Sequence, residues 1–300
     1  MDKIRKKFTI AAKRIISTCS MPIIYIYTRI LQRVFPIKFY SEEYTLQKLI
    51  EGGSIGRFGD ADLNIALGRG SVRYQEYSET LAGRLREILA LDMNTTPGFH
   101  VALNPLLNTY HGYTKRSIRF WCVFNSTRLQ SIYCLVRKNQ IYYDALCFRV
   151  AALKEESYEV IEHRISKVKQ IWEGKRILIV EGDMGELARL RENTCLGVGS
   201  DFLAGAKSIQ RIIAPSRNAF AKYDEILETI CRCYNHDLVL IVLGMTATVL
   251  AYDLYRRGIR AIDFGQTHRT YLQIMENLSG EAGAKITVEQ WKEQIIEKID

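Results

Sequence analysis

Two aspartates one residue apart, Asp60-Ala-Asp62, follow the Gly-punctuated stretch Ser54-Ile-Gly-Arg-Phe-Gly59. If that stretch continues extended through Asp62, side chains at i and i+2 project to the same side. Two hard oxygen ligands placed so would hold Mg2+ or Mn2+ and leave coordination positions for phosphate oxygens. A nucleotide-diphosphate leaving group needs such a clamp, because it gathers negative charge as it departs. Acid-x-acid also occurs in solvated turns, and Arg57 beside it reads either as a phosphate contact or as a surface charge.

Other polar groups stand where ligands commonly bind. Gly244-Met-Thr246 marks a strand-to-helix junction whose backbone N–H groups and hydroxyl would receive an anion, although Thr246 is also an ordinary helix N-cap. Gly199-Ser-Asp201 and Ser216-Arg-Asn218 are short polar loop groups of similar kind. Several familiar chemistries drop out. Gly52-Gly-Ser-Ile-Gly56 fits G-x-S-x-G as text, but a helix precedes it where a nucleophile elbow needs a strand. Gly197-Val-Gly199 has Phe202 where a dinucleotide fingerprint carries its third Gly, and G-x-x-x-x-G-K-[ST] is missing from the sequence. The five histidines show no HExxH and no zinc-type quartet with cysteine.

The elements that must position these residues follow from periodicity. Residues 41–51 predict a helix N-capped by Ser41 and stopped by Gly52-Gly53, and Leu81, Leu85, Ile88 and Leu89 give helical spacing over 76–91. Residues 99–103 read as a strand, and the Tyr-, Trp- and Arg-rich stretch 104–150 resists parsing. Beyond residue 155, apolar runs at 176–181, 210–214, 237–244 and 259–265 alternate with helical patterns at 220–233 and 246–257. Continuously apolar strands alternating with helices mark a parallel sheet covered on both faces. The expected fold is therefore α/β, a Rossmann-like mostly parallel sheet with helices on both faces. Ligands of such sheets sit beyond the carboxyl ends of the strands. Residues 181–183, 215–218, 244–246 and 263–266 should then line one crevice, with Glu181, Asp263 and His268 as candidate general bases.

The chain has 300 residues and a formal charge of +9, which invites a nucleic-acid reading. The charge, however, is concentrated. Residues 1–40 carry nine Lys or Arg against the single acid Asp2, so the rest is nearly neutral and no nucleic-acid partner is expected. Within this arm Ile4, Phe8, Ala11, Ala12 and Ile15 share one helical face and Lys3, Lys6, Lys7, Lys13 and Arg14 the other. That pattern predicts a basic amphipathic helix lying on an anionic membrane surface, or else a solvated helix packed on the body. The apolar stretch between Arg14 and Arg29 is too short to span a bilayer. Seven cysteines, an odd set without CxxC, suggest reduced thiols and a cytoplasmic protein peripheral to the inner face of the cell membrane. The expected organisation is an arm at 1–40, a domain at 41–280 and a C-terminal helix at 281–300.

Several segments match one pattern together: Arg57-Phe-Gly-Asp-Ala-Asp62, Val180-Glu-Gly182, Gly197-Val-Gly-Ser-Asp201, the run from Ala206 to Phe220, the run from Leu243 to Asp253, and Ala261-Ile-Asp-Phe-Gly265. In this order they resemble the GT-D fold glycosyltransferases of bacteria. The resemblance implies a metal motif at Asp60 and Asp62, with Asp62 standing where the family has Glu. It also implies a nucleotide-sugar donor, commonly UDP-glucose, for which Arg57, Phe58, Gly59, Gly199, Asp201, Ser216, Asn218, Gly244 and Thr246 are the candidate contacts by their motif and loop positions. Residues 183–195 look like an insertion relative to the family, and Gln266-Thr-His-Arg-Thr-Tyr271 departs from its usual sequence. The reading that follows is a metal-dependent glycosyltransferase acting on a glycan or lipid-linked acceptor in surface polysaccharide or glycoprotein synthesis. The alternatives are a catalytically inactive, membrane-associated partner of a polysaccharide-assembly complex and another Rossmann-like transferase.

Overall fold

A strand buried on both faces needs apolar side chains at successive positions, and Ile177-Leu-Ile-Val180 and Leu238-Val-Leu-Ile241 supply them. The computed structural model describes residues 21–72, 74–148, 154, 156–183, 202–265 and 288–300. In chain order these form helix α1 (21–34), β1 (Lys38–Phe39), α2 (Glu42–Ile50), β2 (Ser54–Phe58), α3 (Asp60–Ala66), α4 (Glu79–Leu89), β3 (Phe99–Leu103), α5 (Lys115–Leu135) and β4 (Ile141–Asp144). Next come α6 (Tyr158–Lys169), β5 (Arg176–Gly182), β6 (Ser208–Ala214), α7 (Tyr223–Cys233), β7 (Leu238–Val242), α8 (Met245–Arg256), β8 (Ala261–Asp263), α9 (Val288–Glu293) and β9 (Ile295–Lys298). Ser41 and Ser78 cap α2 and α4 by accepting from the N–H groups of Tyr44 and Leu81.

The strands form one sheet in the order β1-β4-β3-β2-β8-β7-β5-β6-β9, and each pairing is parallel. Alternation within each strand divides the core between the two faces. Leu178, Val180, Val239 and Ile241 pack on the side covered by α4, α5, α7 and α8, whereas Ile177, Ile179, Leu238 and Leu240 pack on the side of α2 and the end of α6. The expected α/β sheet covered on both faces is what the chain forms. It reaches further than the apolar C-terminal runs suggested, because β2 sits beside β8 with Ile55 opposite Ile262. Gly56 favours this packing: a Cβ there would lie 3.1 Å from both Phe99 Cζ and Thr248 Cγ2, so any larger residue would force α8 and β3 to give way. Ser54, once a candidate elbow residue, is buried and accepts a hydrogen bond from the Ala261 N–H at 3.1 Å.

Two boundaries change. Residues 288–300 are not one helix but α9 followed by β9, because Ile295 to Lys298 add to the free edge of β6 and are locked there by Ile299 N–H donating to Ile213 O at 2.8 Å. The second half of the arm is part of the body. Thr28 and Gln32 of α1 are buried, Gln32 donates to Leu106 O at 3.2 Å, and β1 pairs with β4. The amphipathic pattern at residues 4–15 lies outside the described residues.

Candidate active site

The sheet order brings the carboxyl ends of β2, β3, β4, β7 and β8 together, although the first and last of these are about 200 residues apart in sequence. A cleft of about 520 Å3 opens over them. It is lined by Arg57 to Asp62 from the end of β2, Asn104 after β3, Ala145 and Leu146 after β4, Gly244 after β7, and Asp263 and Gly265 around the end of β8. Helix α5 closes the other side with Arg116, Ser117, Phe120 and Trp121.

The aspartate pair does not sit on an extended segment. The strand ends at Phe58, Gly59 is the N-cap, and Asp60 and Asp62 occupy the first turn of α3, where carboxylates are favoured by the helix dipole. Residues i and i+2 of a helix point about 200° apart, so the two carboxylates diverge. Asp60 is exposed, while Asp62 turns under and its Oδ2 accepts the Gly59 N–H at 3.0 Å. Both still line the cleft. Burial and the neighbouring Asp263 carboxylate push the Asp62 carboxyl up to about 8.

Asp263 anchors the floor. Its Oδ2 accepts the Arg57 backbone N–H at 3.2 Å and lies 3.0 Å from the Thr248 hydroxyl, and its Oδ1 is 3.6 Å from Arg57 Nη2. Burial raises its carboxyl above the ordinary range despite the attraction of Arg57. The Arg57 guanidinium is fixed on three sides: Nε donates to Asp263 O at 2.5 Å, Nη1 to Ala145 O at 3.0 Å, and the group stacks 5.3 Å from the Phe148 ring centroid. Gly265, at φ +56°, passes against it; a Cβ would come 2.1 Å from Arg57 Nη2. Gly244 takes φ 56° and ψ −135° as the N-cap of α8, exposed at the cleft.

The sequence placed four strand ends in one crevice, and two of them lie elsewhere. β5 and β6 stand on the far side of β7, away from β2. Glu181, offered as a base, is buried in an ion pair, accepting from Arg211 Nη1 at 2.5 Å and from Trp291 Nε1 at 2.8 Å, and it does not line the cleft. Ser216 packs against Gly182, where a Cβ would come 2.9 Å from Ser216 Cα. Asn218 adopts φ 52° and braces another loop, its Oδ1 accepting the Glu76 N–H at 2.7 Å. Thr246 is fully buried in the first turn of α8, not a cleft wall; its hydroxyl finds no hydrogen-bond partner among the described residues. Gly199, Asp201, His268, the rest of the 183–195 insertion beyond Asp183, and the 266–271 segment lie outside the described residues.

Sequence reasoning missed Asn104, Ala145, Leu146 and the face of α5. The signal for the first three was available, since Asn104 and Ala145 directly follow strands, and the strand-end rule applies once β3 and β4 join the same sheet. The α5 residues fall at i, i+1, i+4 and i+5, one helical face from Arg116 to Trp121, behind the Thr114 N-cap. Arg116 is exposed and forms no ion pair with a described residue.

Residues 55–290 match the family model described as glycosyltransferase GT-D fold. The chain is 34% identical over 231 residues to a probable glycosyl transferase Gly of Streptococcus gordonii, covering 77% of this chain and 31% of that protein. It is 30% identical over 259 residues to glycosyltransferase GlyD of Streptococcus pneumoniae serotype 4, covering 85% of this chain and 30% of that one. The chain thus spans less than a third of the length of these relatives. Among solved structures, a glycosyltransferase (DUF1792) from Streptococcus sanguinis superposes with a TM-score of 0.73 at 29% identity, covering 88% of this chain and 100% of the other.

Proposed function

The chain belongs to the GT-D fold glycosyltransferase family, and we propose that it moves a sugar, a hexose from a UDP-type donor, onto a hydroxyl of a glycan or lipid-linked acceptor. One observation carries the reading: Asp60, Asp62, Arg57 and Asp263, drawn from two ends of the sequence, meet at one cleft that also holds the exposed cation Arg116. The donor diphosphate would lie between the first turn of α3 and Arg116, and Phe120 and Trp121 would wall off the sugar. Asp263 is engaged by Arg57 and Thr248, so its part is to hold the guanidinium in place.

Mn2+ or Mg2+ fits this donor set. Hard carboxylate oxygens suit either ion, and a bound cation would favour the ionised form of the Asp62 carboxyl, which burial and the neighbouring Asp263 otherwise disfavour. Among the described residues no three His, Cys, Asp or Glu side chains group to hold a metal, and Asp60 and Asp62 diverge on α3, so one of the two would hold the ion while phosphate oxygens and water complete its shell. When bound, the ion would neutralise charge developing on the leaving diphosphate. Among the described residues no helix is long and apolar enough to cross a membrane. The cations of residues 1–40 support a peripheral position on the anionic inner face of the cell membrane.

The test is turnover of UDP-glucose and other nucleotide sugars with and without Mn2+. Asp60→Asn, exposed and so harmless to folding, should lower donor turnover about 100-fold or more. Full turnover by Asp60→Asn would remove the metal motif from the mechanism. Nucleotide binding without turnover by the unaltered chain would favour an inactive assembly partner.

A further inference from the structure

Helix α1 carries an apolar face that no other described residues cover. Ile23, Ile26, Tyr27, Ile30 and Val34 are 71%, 61%, 49%, 52% and 58% exposed. On a helical wheel these five fall within about 100° of arc, opposite the buried Thr28 and Gln32. Scattered exposed aliphatics need no explanation, but a contiguous stripe on a helix marks an interaction surface. The inner side of the helix is fastened to the body. Arg29 donates to Asn108 O at 3.1 Å, Gln32 to Leu106 O at 3.2 Å, and Tyr25 and Phe35 pack on Tyr110 and Tyr133. Thr28 touches Cys122 Sγ at 3.7 Å, next to the cleft residue Trp121.

Charge identifies the occupant. No acid occurs between Asp2 and Glu42, while Arg33 and Lys38 are exposed in and just after α1, and six further cations lie in residues 1–20. An aliphatic stripe bearing a tyrosine and flanked along the sequence only by cations is complementary to an anionic bilayer, with the apolar face at the acyl boundary and the cations among the headgroups. We infer that the outer face of α1 docks on anionic lipid, and that its rigid attachment beside Asn104 and Trp121 keeps the cleft at the membrane surface, where a lipid-linked acceptor is presented. This deepens the transferase reading and rests on it for the acceptor, not for the docking face.

The full chain is tested by flotation with phosphatidylcholine vesicles with and without phosphatidylglycerol, beside size-exclusion chromatography and lipid-free donor hydrolysis. The unaltered chain should float only with the anionic vesicles, and Ile26→Glu/Ile30→Glu should reduce the bound fraction at least tenfold with donor hydrolysis unchanged. Undiminished flotation of the double variant overturns the proposal. So does an unaltered chain that elutes as a dimer and becomes monomeric on the double substitution, because the stripe is then an interface between copies. If flotation is lost as expected while the unaltered chain shows no donor turnover, the docking face stands and the transferase reading falls.

Discussion

Gly265→Ala separates the cost of a strained backbone from the cost of dislodging Arg57. Gly265 has φ +56°, where a Cβ costs about 1–2 kcal/mol. Its new Cβ would also lie 2.1 Å from Arg57 Nη2, which has to move. The guanidinium is the flexible end of a long side chain, so the clash alone is cheap. Moving it, however, breaks one of the bonds to Asp263 O at 2.5 Å and Ala145 O at 3.0 Å, and a hydrogen bond of a charged group contributes about 1.5–3 kcal/mol. Together these predict a loss of about 3–4 kcal/mol, or roughly 6–8 °C in Tm for a chain of this length. Gly112 is the control: φ is +79° and a Cβ would meet open space, so Gly112→Ala should cost only about 1 kcal/mol. Thermal unfolding of both variants, repeated in an Arg57→Met background, should show a coupling of about 2 kcal/mol between positions 57 and 265. Donor turnover should fall at least tenfold in Gly265→Ala and remain unchanged in Gly112→Ala, since a displaced Arg57 reshapes the cleft. Equal stability losses at the two glycines with no coupling to Arg57 would refute the assigned packing.

Two further expectations concern buried carboxylates. Glu181→Leu leaves the fully buried Arg211 without its partner and should cost about 3–5 kcal/mol in urea denaturation, with donor turnover per folded molecule within twofold of the unaltered chain; normal stability with lost turnover would restore Glu181 as a catalytic candidate. Burial pushes the Asp144 carboxyl up to about 7 from an ordinary 3.8, so the native chain holds that proton more tightly than the unfolded one. Stability associated with Asp144 is thus greatest below about pH 4, falls as pH rises to about 7, and is level above, the whole span being at most about 4 kcal/mol. Asp144→Asn keeps the acceptor that receives the Leu146 N–H at 2.6 Å, so it should be neutral at pH 4 and stabilising by about 2–4 kcal/mol at pH 8. An equal effect at both pH values would contradict the assigned burial.

Local chemistry alone determined much of this protein. Apolar runs at 176–181 and 237–244, alternating with helical patterns, read as strands covered on both faces, Ser41 and Gly52 set the limits of one helix, and Arg57-Phe-Gly-Asp-Ala-Asp62 carried the family likeness. These signals are legible because propensity, capping and side-chain period act over a few residues. The strand order is a different matter. Whether β2 lies beside β8 or elsewhere depends on long-range packing such as Gly56 against Thr248, and that order decided that Asp62 meets Asp263 while Ser216 and Asn218 stay away. Glu181 shows the limit most plainly: its place at a strand end suggested catalysis, but Arg211 and Trp291 claimed its carboxylate. A carboxylate's role is set by the charges and donors around it, and for this chain only the folded sheet brings those neighbours within reach.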